Sequence, residues 1–229
     1  MIALEVVGAT AFTAALYWAC TRVQRRLRAS LLHPVFLAVL AGEALFAMLP
    51  PRWLDAYLDG AAPITWLLGP ATAALALPFF RRRSFLAAHP WTALLAVATG
   101  CASTVGVVWG LGALLGLSGA LMWAAALKSV TLPVALGLTE VVRTQPGVTT
   151  LCVFSSGLLG TAVGPALLSW ARVRSPVARG LALGTLSHVL GTARALEEDP
   201  LSGAAGVVAL TLSALLIAAG AIALSVLLG

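Results

Sequence analysis

The chain has 229 residues, of which 60% are hydrophobic and only 10% charged, and its formal net charge is +6. Soluble domains carry about 25% charged residues, and no polar block in this sequence is long enough to build a sizeable soluble domain. The composition therefore predicts an all-α, polytopic helical membrane protein, with one integral membrane domain over residues 1–229.

Apolar runs that are long enough to cross a bilayer recur along the chain, and prolines mark the joints between them. The pattern indicates about seven spans, and the region 177–196 forms an eighth, less hydrophobic helix. The seven spans are predicted near residues 3–20, 32–49, 63–80, 91–116, 118–141, 147–170 and 203–228.

Arginines beside the spans predict the orientation of the first half. One cluster, Arg22 to Arg28, follows the first span, and a second, Arg81 to Arg83, follows the third. By the positive-inside rule both clusters are cytoplasmic, which places the N-terminus outside. The first span carries Glu5 and has no cationic segment before it, which favours a retained span over a cleaved signal peptide.

The second half does not fit this count. If every segment crosses, Arg172, Arg174 and Arg179 lie outside, against the positive-inside rule. A broken or re-entrant segment at 118–141 that does not cross would remove the conflict, because irregular backbone is tolerated at membrane depth where it lines a cavity.

A weak internal repeat has a period of about 57–59 residues. Residues 69–76 (GPATAALA) align with 128–135 (KSVTLPVA), and 89–100 (HPWTALLAVATG) resemble 145–157 (QPGVTTLCVFSSG). Such agreement also arises easily between two alanine- and leucine-rich stretches, so duplication and chance both stay open. A duplication would be typical of transporters whose paired broken helices meet near the midplane.

The segment LKSVTLPVA, residues 127–135, contains Lys128, the only lysine in the chain. Pro133 removes a helical hydrogen bond and disfavours helical geometry at Leu132. Lys128, Ser129 and Thr131 beside such a break would form a receptor for a small carboxylate. The alternative is that the lysine extends to the membrane interface and that the proline only kinks a helix.

GPATAALALP, residues 69–78, predicts a similar break, in which Pro70 and Pro78 flank Thr72. Thr72 could complete the carboxylate site from this break. The alternative is that its hydroxyl bonds the backbone of its own helix.

Small and polar residues recur every four positions in the segment 176–198. A continuous helix would place Gly180, Gly184, His188 and Thr192 on one face. The small residues allow close helix contact in lipid. The imidazole could bind substrate, relay a proton or bond a neighbouring carbonyl.

No pattern in the sequence indicates an enzyme. Cys20, Cys101 and Cys152 lie singly in apolar segments, without the spacing of a zinc or redox site. The chain also lacks a Ser–His–acid arrangement, a metal-spaced His/Cys cluster and a phosphate loop. We therefore expect no catalytic residues, no metal and no cofactor.

Four segments together resemble a known family: LLGPATAALALP (67–78), KSVTLPVA (128–135), TQPGVTTLCVFSSGLLGTAVG (144–164) and SPVARGLALGTLSHVLGTARALE (175–197). They are similar to the LrgB/CidB family, which includes bacterial LrgB-type and YohK-type proteins and the C-terminal half of the plant plastidial glycolate/glycerate translocator. The resemblance covers residues 67–229 and is weaker before them.

Several positions match the family and others depart from it. Lys128, Ser129, Thr131, His188, Gly191 and Thr192 match. Leu127 replaces a proline that is usual before the lysine. Residues 143–145 replace a Gly-Gly turn, and a usual Ser-Ser pair is replaced within residues 203–210.

The resemblance implies two alternative functions in the bacterial cytoplasmic membrane. One is a carrier or channel for small monocarboxylates such as glycolate, glycerate or pyruvate. In it, Lys128 attracts the carboxylate, Ser129 and Thr131 donate hydrogen bonds, and His188 and Thr192 bind the second oxygen or couple a proton. The other is an antiholin-like regulator of murein hydrolase export. A small LrgA/CidA-type membrane protein is the implied partner, and a homo-oligomer is possible on either reading.

Overall fold

The computed structural model describes residues 2–27, 34–67 and 90–228 and, between these ranges, positions 70, 74, 77, 80 and 81. All the secondary structure in these residues is helical, which confirms the predicted fold class. The chain forms two compact units, residues 1–74 and 75–229.

In the first unit, the described ranges 2–27 and 34–67 form the helices α1 (Ile2–Leu27), α2 (Pro34–Met48), α3 (Pro51–Gly60) and α4 (Ala62–Trp66). Rings of α1, α2 and α3 pack together, with ring centroids 5.0–5.7 Å apart among Phe12, Phe46 and Tyr57. The Tyr57 hydroxyl also lies 3.0 Å from the Thr13 hydroxyl. At Gly60 the backbone of α3 comes so close to the Glu5 carbonyl of α1 that a Cβ atom would overlap it.

The second unit is built on three long helices. These are α5 (Pro90–Leu114), α8 (Pro146–Trp170) and α10 (Pro200–Leu228), and the shorter elements between them are α6 (Gly119–Ala126), a 3₁₀ turn (Leu127–Ser129), α7 (Leu132–Leu138) and α9 (Pro176–Glu198). By length and composition the three long helices can cross a membrane. The predicted spans 91–116, 147–170 and 203–228 are therefore confirmed as helices of this kind.

The predicted span 118–141 is broken, as the sequence indicated. Val130 (φ −110°, ψ 167°) and Thr131 (φ −66°, ψ 149°) are extended, and α7 then begins at Leu132. The prediction that Leu132 leaves helical geometry is wrong, because the proline is accommodated in the first turn of a new helix, where its missing N–H costs nothing. The extended backbone therefore lies one residue earlier than predicted.

This broken segment folds back on itself. The Thr144 hydroxyl donates a 2.8 Å hydrogen bond to the carbonyl of Ala120, although a straight helix would separate these residues by about 36 Å. Residues 119–144 are therefore a hairpin, called here the first hairpin, with Lys128 and Ser129 at its tip.

Helix α9 folds back as well. Ser187 (φ −127°, ψ 17°) and His188 (φ 42°, ψ −128°) are not helical. The Arg179 guanidinium pairs with the Glu198 carboxylate, with Nε–Oε2 at 2.8 Å and Nη2–Oε1 at 3.1 Å. A straight helix would hold these two residues about 28 Å apart. Residues 176–198 are therefore the second hairpin, with its tip at Ser187 and His188.

The second hairpin overturns the prediction that four residues share one helix face. Gly180 and Gly184 pack against the backbone of Ser202 and Gly206 in α10, and Thr192 also contacts Gly206. His188 instead packs on α8. The break at residues 187–188 turns the imidazole away from the face that the glycines present.

The two hairpins give the second unit a repeated architecture. Each hairpin brings the chain back to the same end of the unit at which the preceding long helix finished, and the next long helix starts there. Helices α5 and α8 therefore run in opposite directions, as do α8 and α10. The predicted internal repeat aligned Pro90 with Pro146. Both prolines begin helices of 25 residues, and each of these helices is followed by a hairpin.

Candidate functional site

The tips of the two hairpins meet beside α8. Lys128 of the first tip and Ser187 of the second both line a cleft of about 690 Å³. Helix α8 and the first half of α9 form its walls. The polar lining consists of Lys128, Cys152, Ser155, Ser156 and Ser187, and the apolar lining includes Leu159, Val163, Leu167, Leu168, Leu183 and Leu186.

Lys128 is half-buried at the polar end of this cleft. Its ammonium has no hydrogen-bond or ion-pair partner among the described residues, and it lies within electrostatic range of the Cys152 thiol and the His188 imidazole. An unpaired ammonium among membrane helices is costly. The arrangement therefore favours the binding of an anion at this end of the cleft.

Ser129 and Thr131 lie next to Lys128 but do not line the cleft. The Ser129 side chain is fully buried, and its Oγ has no hydrogen-bond partner in the part of the chain that the structure describes. Thr149 Oγ1, in the first turn of α8, is buried and unpartnered in the same way. Thr131 occupies the N-cap position of α7, and its side chain forms no capping hydrogen bond.

His188 is buried at the tip of the second hairpin. Its Nε2 lies 3.1 Å from the carbonyl oxygen of Val153 in α8. A carbonyl only accepts hydrogen bonds, so Nε2 carries the proton. A Cβ atom at Gly157 would lie 3.0 Å from the ring, so this glycine provides the space for the imidazole. The His188 side chain therefore attaches the tip to α8 and does not line the cleft.

Thr192 is buried between the second hairpin and α10. Its hydroxyl lies 2.8 Å from the carbonyl oxygen of His188 and 3.2 Å from that of Gly206. One hydroxyl proton serves both acceptors. In this structure, Thr192 contacts backbone on both sides and does not face the cleft.

The geometry of the second tip depends on close backbone contacts. A Cβ atom at Gly191 would overlap the Leu183 carbonyl, and one at Gly160 of α8 would overlap the Ser187 side chain. The break in α9 also leaves carbonyl groups without helical partners, and Ser156 donates a 2.9 Å hydrogen bond to the carbonyl of Leu186. Helix α8 is thus shaped to receive this tip.

Of the residues that the sequence predicted for the site, Lys128 lines the cleft, and sequence reasoning missed other lining residues. Cys152, Ser155 and Ser156 lie in the segment LCVFSSG, where spacings of three and four residues place them on one helix face. That spacing could have identified them. Ser187 could not have been found in this way, because its position depends on the unpredicted break.

The two prolines of the predicted breaks have different outcomes. Pro133 lies in the first turn of α7, at the end of the first break. Thr72 lies outside the described residues, and Pro70 is one of the isolated described positions, helical and exposed. The contribution of Thr72 to the site stays a prediction.

Comparison with known proteins gives one consistent result. Residues 13–227 match the LrgB-like family, so the resemblance starts well before residue 67. The chain is 32% identical over 206 residues to the uncharacterized protein YxaC of Bacillus subtilis (strain 168), covering 89% of this chain and 88% of that protein. It is 31% identical over 181 residues to the antiholin-like protein LrgB of Bacillus mycoides (strain KBAB4), covering 79% and 78%. No solved structure matches significantly.

Proposed function

The chain belongs to the LrgB-like family of membrane proteins, and from this premise we propose that it is a carrier or channel for small monocarboxylates such as glycolate, glycerate or pyruvate. The observation that carries the proposal is the unpaired Lys128 ammonium at an open cleft where two hairpin tips meet. A scaffold without a polar ligand would not need a lone cation in this position.

The lining residues bind the carboxylate in two ways, by charge and by hydrogen bonds. The Lys128 ammonium neutralises the carboxylate, and the Ser155 and Ser187 hydroxyls line the same cleft. Charge-assisted hydrogen bonds of this kind are about twice as strong as neutral ones. His188 and Thr192 act in this proposal by holding the second tip in place.

The two hairpins also support an orientation in the membrane. If neither hairpin crosses, Arg172, Arg174 and Arg179 lie on the same side as Arg81, which precedes α5. Most arginines of the chain then lie in the cytoplasm, as the positive-inside rule expects, with the N-terminus outside; Arg143, at the end of the first hairpin, lies on the other side. We place the protein in the bacterial cytoplasmic membrane in this orientation.

The arrangement of the hairpins suits a transport cycle. They start from opposite ends of the long helices, and their polar tips meet near the middle of α8, between Cys152 and Gly160. Broken helices that meet near the midplane from opposite sides are typical of secondary transporters. Movement of either hairpin would expose the site to one side only.

The proposal is tested by uptake of labelled glycolate and pyruvate into proteoliposomes, with and without a pH gradient. We expect saturable uptake by the wild type. With Lys128→Met, which keeps an apolar stem of similar length without the charge, uptake at low substrate concentration falls about tenfold or more. Arg194→Ala is the matched control, because it removes one positive charge from a pair with Glu197 away from the cleft.

A second candidate function is regulation of cell-wall lysis. It is favoured by the name of the relatives in Bacillus mycoides and Bacillus cereus, which are antiholin-like LrgB proteins. In that case the chain would act through contacts with a small LrgA/CidA-type membrane protein. Absence of saturable uptake by the wild type, also after co-reconstitution with such a partner, would overturn the carrier proposal in favour of this one.

A further inference from the structure

The cleft beside Lys128 is sharply divided along its length. Lys128, Cys152, Ser155 and Ser156 lie at one end, Ser187 follows against Gly160, and the larger side chains that α8 adds beyond Ser156 are Leu159, Val163 and Leu167. From residue 159 to residue 168 this apolar part extends for about 13 Å. The cleft thus has a charged end and an apolar groove that leads away from it and is open on one side, since Leu159 and Leu167 are 54% and 56% exposed.

From this division we infer that the site also accepts straight-chain aliphatic monocarboxylates longer than the three-carbon acids, and that its affinity for such acids rises with chain length. The carboxylate binds at Lys128, and the alkyl chain lies along Leu159, Val163 and Leu183. This inference rests on the proposed function, because it takes Lys128 to be the carboxylate-binding group, and it adds the selectivity of the same site.

The size of the cleft supports a longer ligand. At about 690 Å³ it falls within the range of about 300–1,000 Å³ that is typical of pockets for drug-sized molecules. A two- or three-carbon acid would leave most of the apolar wall to the lipid. An alkyl chain would cover that wall and gain free energy with every methylene that it buries.

The charges of the cleft select one carboxylate. Lys128 is the single cation that lines the cleft in the described part of the chain. One ammonium balances one carboxylate, whereas a dicarboxylate would place its second charge against leucines, where it is poorly solvated. The apolar wall therefore excludes a second charge as well as favouring a chain.

Cys152 offers a direct readout, because it lines the cleft near Lys128 while Cys20 and Cys101 are buried. A variant with Cys20→Ala and Cys101→Ala retains one thiol, which an anionic methanethiosulfonate modifies in lipid nanodiscs. The rate of modification is measured with acetate, butyrate, pentanoate and hexanoate present, and with the primary alcohols of the same lengths.

We expect the acids to protect Cys152 and the alcohols to leave it unprotected. Since the open cleft covers only part of the chain, the concentration for half-protection should fall about twofold with each added methylene. Leu159→Trp, which fills the apolar part, should abolish the dependence on chain length but keep protection by acetate. Leu151→Trp is the control, since residue 151 of α8 is 66% exposed and lies outside the cleft. This variant should preserve the dependence on chain length.

Each other outcome overturns a defined part of the argument. Equal half-protection by all acids would overturn the inference on chain length and leave the carboxylate site intact. If alcohols protected Cys152 as strongly as acids, the inference of a carboxylate ligand would be overturned in favour of unspecific apolar binding. Failure of every acid, with modification unaffected by Lys128→Met, would overturn the proposed function itself.

Discussion

At the scale of single residues, the backbone at His188 is the least ordinary feature of the second unit. A φ of 42° with a ψ of −128° is costly for a residue with a side chain. The hydrogen bond from Nε2 to Val153 and the fit of the ring against Gly157 offset this cost. The imidazole thus stabilises a turn that its own backbone disfavours.

This balance predicts an order of stability for two variants. His188→Ala loses the ring contacts and keeps a disfavoured backbone, so its free energy of unfolding should fall by about 2–4 kcal/mol. His188→Gly loses the same contacts but adopts positive φ freely, and should be more stable than the alanine variant by about 1 kcal/mol. Denaturant unfolding in detergent measures both. Equal stabilities would show that the backbone at this position is unstrained.

At the scale of elements, the second hairpin depends on close contact with α10. A Cβ atom at Gly184 would overlap the Gly206 carbonyl and lie 2.8 Å from its Cα atom, and backbone atoms cannot yield as a flexible side chain can. Gly180 meets the Ser202 carbonyl in the same way. The glycines therefore fix the distance at which the hairpin packs.

A glycine-to-alanine pair tests this contact. Gly184→Ala should lower the free energy of unfolding by about 2 kcal/mol or more, because the helices must separate. Gly106→Ala in α5 is the control, since nothing lies within 4 Å of its Cβ position. It should be neutral or stabilising by up to about 1 kcal/mol, as alanine favours the helix. If both variants behaved alike, close packing at Gly184 would be refuted.

The sequence predicted some of these elements and not others, for physical reasons. Long apolar runs that begin at prolines identify α5, α8 and α10, and Pro133 marks the first break. Nothing local marks the second break, because the stretch around Ser187 and His188 has no proline and reads as one helix. That turn arises from contacts with α8, which only the folded chain provides.

The same distinction applies to the site. Lys128 was identifiable as the only lysine in an apolar chain, and it lines the cleft. The expected partners His188 and Thr192 bond to backbone carbonyls instead. The directions of these two side chains depend on the unpredicted turn in α9, so helical periodicity could not predict them.

At the scale of the whole molecule, the hairpins determine which chain segments share a side of the membrane. Residue 174 precedes the second hairpin and residue 197 lies near its end, so both should share one side, and residue 140, near the end of the first hairpin, should lie on the other. A crossing by either hairpin would change this pattern.

Single cysteines test the arrangement in a background without Cys20, Cys101 and Cys152. Arg174→Cys and Glu197→Cys should react with a membrane-impermeant maleimide only from the cytoplasmic side, and Glu140→Cys only from outside. All three positions are exposed. Everted vesicles and intact cells give the two measurements. Opposite labelling of residues 174 and 197 would show that the second hairpin crosses and would refute the topology.

The second hairpin, which the ion pair between Arg179 and Glu198 closes, also has a consequence for the order of folding during biosynthesis. The tip of the second hairpin bonds to α8 through His188, and its returning half bonds to α10 through Thr192. The ribosome delivers α8 before this segment and α10 after it. The contacts of Gly180, Gly184 and Thr192 with α10 can therefore form only after residues 202–206 have been synthesised, so the second hairpin completes its packing late.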